Sequence, residues 1–272
     1  MNRYPAVAGT FYPGKKVDLI FMIEDFMQNL HAPDQNCNPL GIIAPHAGYF
    51  YSGKCAAYSY NALKGRDFKT AIIVAPSHRI GGFSYSVGCF DKYETPLGKI
   101  DVNKKFCERL LEHPESSFLP EVHKNEHSLE TQLPFLQSVN RLADIVPVIF
   151  GDQTIHNAKR LAEILYQEFH KDLDDVVFIV SSDLSHYHDA GAAKKMDMNL
   201  AHLIEKNEIH KLEQGFEKNK FEACGFGGIL MMMYLSRKVN ASKIVNLNYT
   251  HSGEINNDND QVVGYLSTVF CK

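Results

Sequence analysis

Residues 175–183 read "DVVFIVSSD". An unbroken run of Val, Phe and Ile suits a strand buried on both faces, because no position needs a polar residue for a solvent side. The run ends abruptly in Ser181, Ser182 and Asp183, and "LSHYHD" follows at once. Two carboxylates and two imidazoles thus stand within seven residues of a buried strand end. Three more runs have the same make-up: "LGIIAPH" (40–46), "TAIIVAPSH" (70–78) and "ADIVPVIFG" (143–151). "IVNLNYT" and "VVGYLSTVF" near the C-terminus read as two further strands. Between the runs lie helical patterns: "VDLIFMIEDFMQNL" after Lys16, "SLETQLPFLQSV" after His127, "IHNAKRLAEILYQEFH" after Thr154, "GAAKKMDMNLAHLIEK" and "GILMMMYLSRK". Ser128, with Glu130 and Thr131 close behind, marks a helix start, and Pro134 sits in a first turn or a kink. Strands alternating with helices predict an α/β fold, a central largely parallel or mixed sheet flanked by helices.

The 272 residues contain no repeat, low-complexity segment or linker, so residues 1–272 are read as a single domain with a substantial core. A net charge of −4 gives no electrostatic reason to expect a nucleic-acid partner. No apolar run is long enough to span a bilayer. The opening "MNRYPAVAGTFYPGKK" lacks an apolar signal core, so a cytoplasmic location is expected. The six cysteines, Cys37, Cys55, Cys89, Cys107, Cys224 and Cys271, form no CxxC pair and no dense framework. They read as reduced thiols rather than disulfides.

In a parallel sheet, ligands bind beyond the carboxyl ends of the strands. His46 closes the first run, His78 the second, and Asp183 and His186 follow the fourth. A lone His at a strand end is ordinarily a hydrogen-bonded turn residue. Imidazoles at three of four strand ends are the better sign of a shared site. Cys224, in "EACGFGG", stands where a helix is expected to begin. A helix N-terminus lowers a thiol's pKa and favours the thiolate, a nucleophile and soft metal ligand. A small buried Cys packed near glycines is the plainer alternative. His127 and Glu130, at i and i+3, share a face if their segment is helical. The "HSGE" at 251–254 reads as exposed loop, and Tyr187, His188 and Asp189 as surface. His31, His113, His123, His156, His170, His202 and His210 also read as surface residues. The "MMM" at 231–233 reads as helix core packing.

Six motifs, "RYPAVAGTFYP", "APHAGYFYSG", "APSH", "NEHSLETQLPFL", "SSDLSHY" and "CGFGG", occur in order from residue 3 to the final strand. Together they resemble the Memo family, whose eukaryotic members mediate cell motility and whose fold is similar to class III extradiol dioxygenases. The resemblance implies a metal held by His46, His78 and Cys224. His186 is implied as the general base, and Asp183 as the carboxyl that orients an imidazole or a water. His127 and Glu130 would support the ligands or line the substrate pocket. Fe(II) or copper is the implied ion, with zinc as the alternative. The dioxygenases use two histidines and a carboxylate, whereas this trio has a thiol, which shifts preference toward softer ions and is itself oxidisable. Three functions follow as expectations. One is a redox-linked metal oxidoreductase acting on a small molecule. Another is a zinc-dependent hydrolase. The third is a non-catalytic protein that sequesters metal or captures a peptide in the same pocket.

Overall fold

The four apolar runs form four adjacent parallel strands in a computed structural model that describes residues 1–30 and 37–272. His31 lies outside the described residues. The strands are Pro39–Ala44, Thr70–Pro76, Asp144–Phe150 and Val176–Ser181. Across the sheet the order is 39–44, 176–181, 70–76, 144–150, all parallel. Nearly every residue of these strands is buried, as an unbroken apolar run requires of strands covered on both faces. Short strands Tyr85–Val87 and Ser116–Ser117 extend the sheet beyond 144–150. On the other side Val262–Cys271 pairs antiparallel with 39–44, and Lys243–His251 pairs antiparallel with it in turn. His186–His188 pairs with the start of 262–271. The sheet is therefore mixed, with a parallel centre. A separate three-stranded sheet joins Asn2–Arg3 to Lys92–Thr95 and Gly98–Asp101.

Helices flank the main sheet. Phe226–Lys238 packs on the parallel strands, with Met231, Met232 and Met233 fully buried. A Cβ on Gly41 would lie 2.5 Å from the Phe178 carbonyl and 2.8 Å from the Met232 Cε, so the 39–44 strand and this helix approach only over a glycine. Helix Tyr49–Leu63 has no counterpart in the sequence reading. Eleven of its fifteen residues are buried, so it lacks the polar face by which an amphipathic helix is recognised. No helix among the described residues is long and apolar enough to cross a membrane.

Several expectations are corrected here. Cys37 and Cys271 form a disulfide, leaving Cys55, Cys89, Cys107 and Cys224 as free thiols. The two partners lie 234 residues apart in sequence, so spacing conceals them. The pairing of Cys271 with Pro39 brings them together. The reading of all six cysteines as reduced thiols falls away with it. His123 is buried rather than exposed, bonded through Nε2 to Ser86 Oγ (3.0 Å) and through Nδ1 to Tyr93 OH (2.8 Å). His113 is half-buried beside Glu168. His251 ends a strand and is buried rather than looped out. Asp189 is exposed but caps helix Ala190–Glu205, accepting from Gly191 N and Ala192 N at 3.0 Å each.

Candidate metal centre

Each site residue stands two positions beyond a parallel strand: His46 after Ala44, His78 after Pro76, and Asp183 after Ser181. Register aligns those strand ends on one edge, so the three residues meet there. Cys224 arrives from the turn before helix Phe226–Lys238, and that turn is clasped to the Asp183 segment. Asp183 N donates to Cys224 Sγ (3.1 Å), and Cys224 N donates back to the Asp183 carbonyl (3.2 Å). Cys224 Sγ lies 3.1 Å from His46 Nε2. Ligand atoms of His46, His78 and Cys224 all fall within 4.8 Å of one another.

The hydrogen bonds fix which ring nitrogens face inward. Ser181 Oγ donates its one proton to the Ser128 carbonyl (2.7 Å) and accepts from Gln132 Nε2 (2.9 Å). His46 Nδ1, 2.8 Å from the same oxygen, must therefore donate, which leaves Nε2 with a bare lone pair toward Cys224. His78 Nδ1 lies 2.9 Å from Glu126 Oε1, an acceptor only, so its Nε2 is bare as well. His186 Nδ1 faces the Leu184 carbonyl at 2.8 Å, with the same result. His127 Nδ1 is 3.2 Å from Glu126 Oε1. Its ring lies 4.5 Å from that of His78, 5.5 Å from that of His46 and 4.8 Å from that of Phe11.

Burial dominates the electrostatics. It pushes His46 well below its ordinary value, helped by His78 and His127, so the ring is neutral and able to coordinate. His127 is lowered by the same cause. Asp183 is raised by burial, although its Oδ1 accepts from His46 N (2.7 Å) and Ala47 N (3.3 Å). Burial also pushes the Cys224 thiol up, and Asp183 adds to it. The thiolate-favouring helix N-terminus expected for Cys224 is not what the residue meets, because the helix starts two residues later and burial outweighs it. Burial works to raise the Glu126 carboxyl, but the bonds from His78 and from backbone N–H groups override it and hold the group at about 2. Two bare imidazole nitrogens and a thiol, converging within bonding reach of one point, fit a borderline-to-soft transition ion.

Residues 3–269 match the family model described as Memo-like protein. The chain belongs to the Memo-like family. A MEMO1 family protein of Thermoplasma volcanium is 37% identical over 100% of this chain and 99% of its own length. One from Thermoplasma acidophilum is 36% identical over 99% of this chain and 98% of its own. A third, from Methanobrevibacter smithii, is 36% identical over 99% of this chain and 100% of its own. The crystal structure of an uncharacterized protein from Escherichia coli K12 aligns with a TM-score of 0.47 at 12% identity, covering 74% of this chain and 86% of that one.

In this Memo-like chain Glu130 is not brought to the trio. Its carboxylate is occupied by Arg3, by Ala6 N and Val7 N (2.8 and 3.0 Å) and by Tyr12 OH (2.6 Å), so it anchors the N-terminal segment instead. Besides Asp183, the carboxylate that reaches the site is Glu126, which carries no signal of its own in the sequence. Three more supports went unnoticed. Gln132 fixes Ser181, as above. Gln153 brackets the Cys224 turn, donating to the Cys224 carbonyl (2.7 Å) and accepting from Gly227 N (2.8 Å). Glu222 ties down the His186 segment, accepting from His186 N (3.2 Å) and contacting His188 Nε2 (3.0 Å). Gln153 follows the end of strand 144–150 and was open to the same strand-end rule that found His46 and His78. The other two carry no local signal. Tyr187 is exposed and holds φ +62°, a conformation uncommon for a bulky residue, right beside His186.

Gly225 lets the Cys224 turn lie against the strand end. A Cβ there would stand 2.3 Å from the Ser181 carbonyl and 2.7 Å from Ser182 Cβ. Gly225→Ala is expected to cost about 1–3 kcal/mol through overpacking and to draw Cys224 away from His46. Urea unfolding midpoints and metal titration check this together, and wild-type values in both would refute the close approach.

Proposed function

We propose that this protein binds one redox-active transition ion, iron or copper, through His46 Nε2, His78 Nε2 and Cys224 Sγ, and acts as an oxidoreductase on a small molecule held beside it. One observation carries the reading: three donor atoms converge while the far nitrogen of each imidazole is tied to its own acceptor, Ser181 or Glu126. Such outer hydrogen bonds orient ligating histidines and fix their tautomer. Once bound, the ion would supply Lewis acidity and a site for electron transfer. The protein's part is to hold the ligand, exclude water and move protons. His186 and His127 stand beside the trio in the proposed roles of proton acceptor and pocket wall. Asp183, buried between His46 and Cys224, keeps the two ligand-bearing turns in register.

The test is purification without oxygen, metal analysis by plasma emission, then an oxygen-consumption screen with hydroxylated aromatics and other small molecules. About one iron or copper per chain with substrate-dependent oxygen uptake is the expected result. Zinc with no uptake would replace this reading with a hydrolase or a metal-sequestering protein.

A further inference from the structure

Glu126 does more than contact one ligand. Its Oε1 accepts from the ring Nδ1 of His78 (2.9 Å) and from the backbone N–H of Ser128 (3.0 Å), and it lies 3.2 Å from the ring Nδ1 of His127 as a charge contact. Its Oε2 receives the backbone N–H of His78 (2.7 Å). The side chain is almost wholly buried. Its backbone is gripped as well. Arg3 donates from Nε to the His123 carbonyl (3.0 Å) and from Nη2 to the Glu126 carbonyl (2.8 Å), at the two ends of the 123–126 turn. The carboxylate therefore has little freedom to follow a ring that moves.

We infer that Glu126 is a positioning residue that locks His78 in the Nδ1–H form, gripping the ring with one carboxylate oxygen and the backbone N–H of the same residue with the other, so that one side chain fixes both the tautomer and the aim of the proposed ligand. The inference rests on the metal-centre reading for its consequence, though not for its geometry. A carboxylate accepts at both oxygens, and the three donors, His78 Nδ1, His78 N and Ser128 N, together need both. Glutamine cannot replace it. Placing its oxygen at the Oε1 position turns its NH2 group toward the His78 N–H, donor against donor. The opposite flip strips the His78 ring and Ser128 N of their acceptor. His78, Glu126 and His127 also form a group close enough to hold an ion of their own. An ion there would displace the ring N–H bond from His78 that the geometry shows.

Two measurements test this. In the metal-free wild type, two-bond proton–nitrogen correlation spectra of nitrogen-15-labelled histidine are expected to show His78 protonated at Nδ1 and bare at Nε2. His78 protonated at Nε2, or averaging between forms, overturns the inference. In the second, Co(II) is titrated optically into wild type and Glu126→Gln. The variant is expected to bind about 10–100-fold more weakly while keeping a thiolate charge-transfer band, the usual loss for an outer partner of a ligating histidine. Wild-type affinity, or a second Co(II) bound per wild-type chain, would overturn it. If the variant fails to fold, the wild-type spectra decide alone. If wild type binds no Co(II), the proposed metal centre is in trouble, while the spectra still rule on Glu126.

Discussion

Glu130→Ala is expected to lose about 3–5 kcal/mol of folding stability, the usual cost of removing one partner of a buried ion pair. Both side chains are almost fully out of water, Arg3 at 2% and Glu130 at 0% relative exposure. Without the carboxylate, the guanidinium keeps only the carbonyls of Tyr4, His123 and Glu126 and remains a buried charge with its counter-charge gone. Ala6 N, Val7 N and Tyr12 OH lose their acceptor in the same change. Such a loss is a large fraction of the roughly 5–15 kcal/mol that holds a typical domain folded. It should appear in urea as a lower midpoint at unchanged slope. Amides of Ala6 and Val7 should lose exchange protection first. A loss below about 1 kcal/mol would mean that the pair is wetter than its burial indicates.

His186→Ala is expected to keep most of the metal and lose about 10²–10⁴-fold in turnover, the range for a positioned acid–base group. His186 is not among the three residues whose ligand atoms cluster, so its removal would take no bond from the proposed ion. Its Nδ1 is committed to the Leu184 carbonyl, and its Nε2 is free to accept a proton. The segment is held from several sides. Ser185 donates through N and Oγ to the buried Asp197, at 3.1 and 3.0 Å, and Tyr249 OH holds the same carboxylate at 2.9 Å. Glu222 takes the His186 N–H. Removing the imidazole alone should therefore leave this frame standing. Metal content by plasma emission and turnover of the best substrate from the screen are read on the same preparation. Metal loss as complete as that of His46→Ala would make His186 a ligand and end its assignment as base.

The strand ends were readable because of how a doubly covered parallel strand is made. It has no polar face, so its limits show where the Ile and Val run stops, and the first polar residues beyond it lie at the ligand edge. His46, His78 and Asp183 were found that way. Glu126 was not, because a Glu just before "HS" looks like a helix cap. It is one, accepting from Ser128 N, yet the same carboxylate reaches 48 residues back to His78, which only the folded chain reveals. Glu130 misled for the opposite reason. Its i, i+3 spacing from His127 promised a shared face, but Arg3, more than a hundred positions away, claims it. The helix at 49–63 was hidden by the burial of most of its surface, and the Cys37–Cys271 bond by sequence distance.

The most direct test of the centre is X-ray absorption at the metal edge of the loaded protein. One sulfur at ~2.3 Å and two imidazole nitrogens at ~2.0–2.1 Å are expected, with the sulfur contribution gone in Cys224→Ser. A shell of nitrogen and oxygen alone, unchanged by Cys224→Ser, would contradict it.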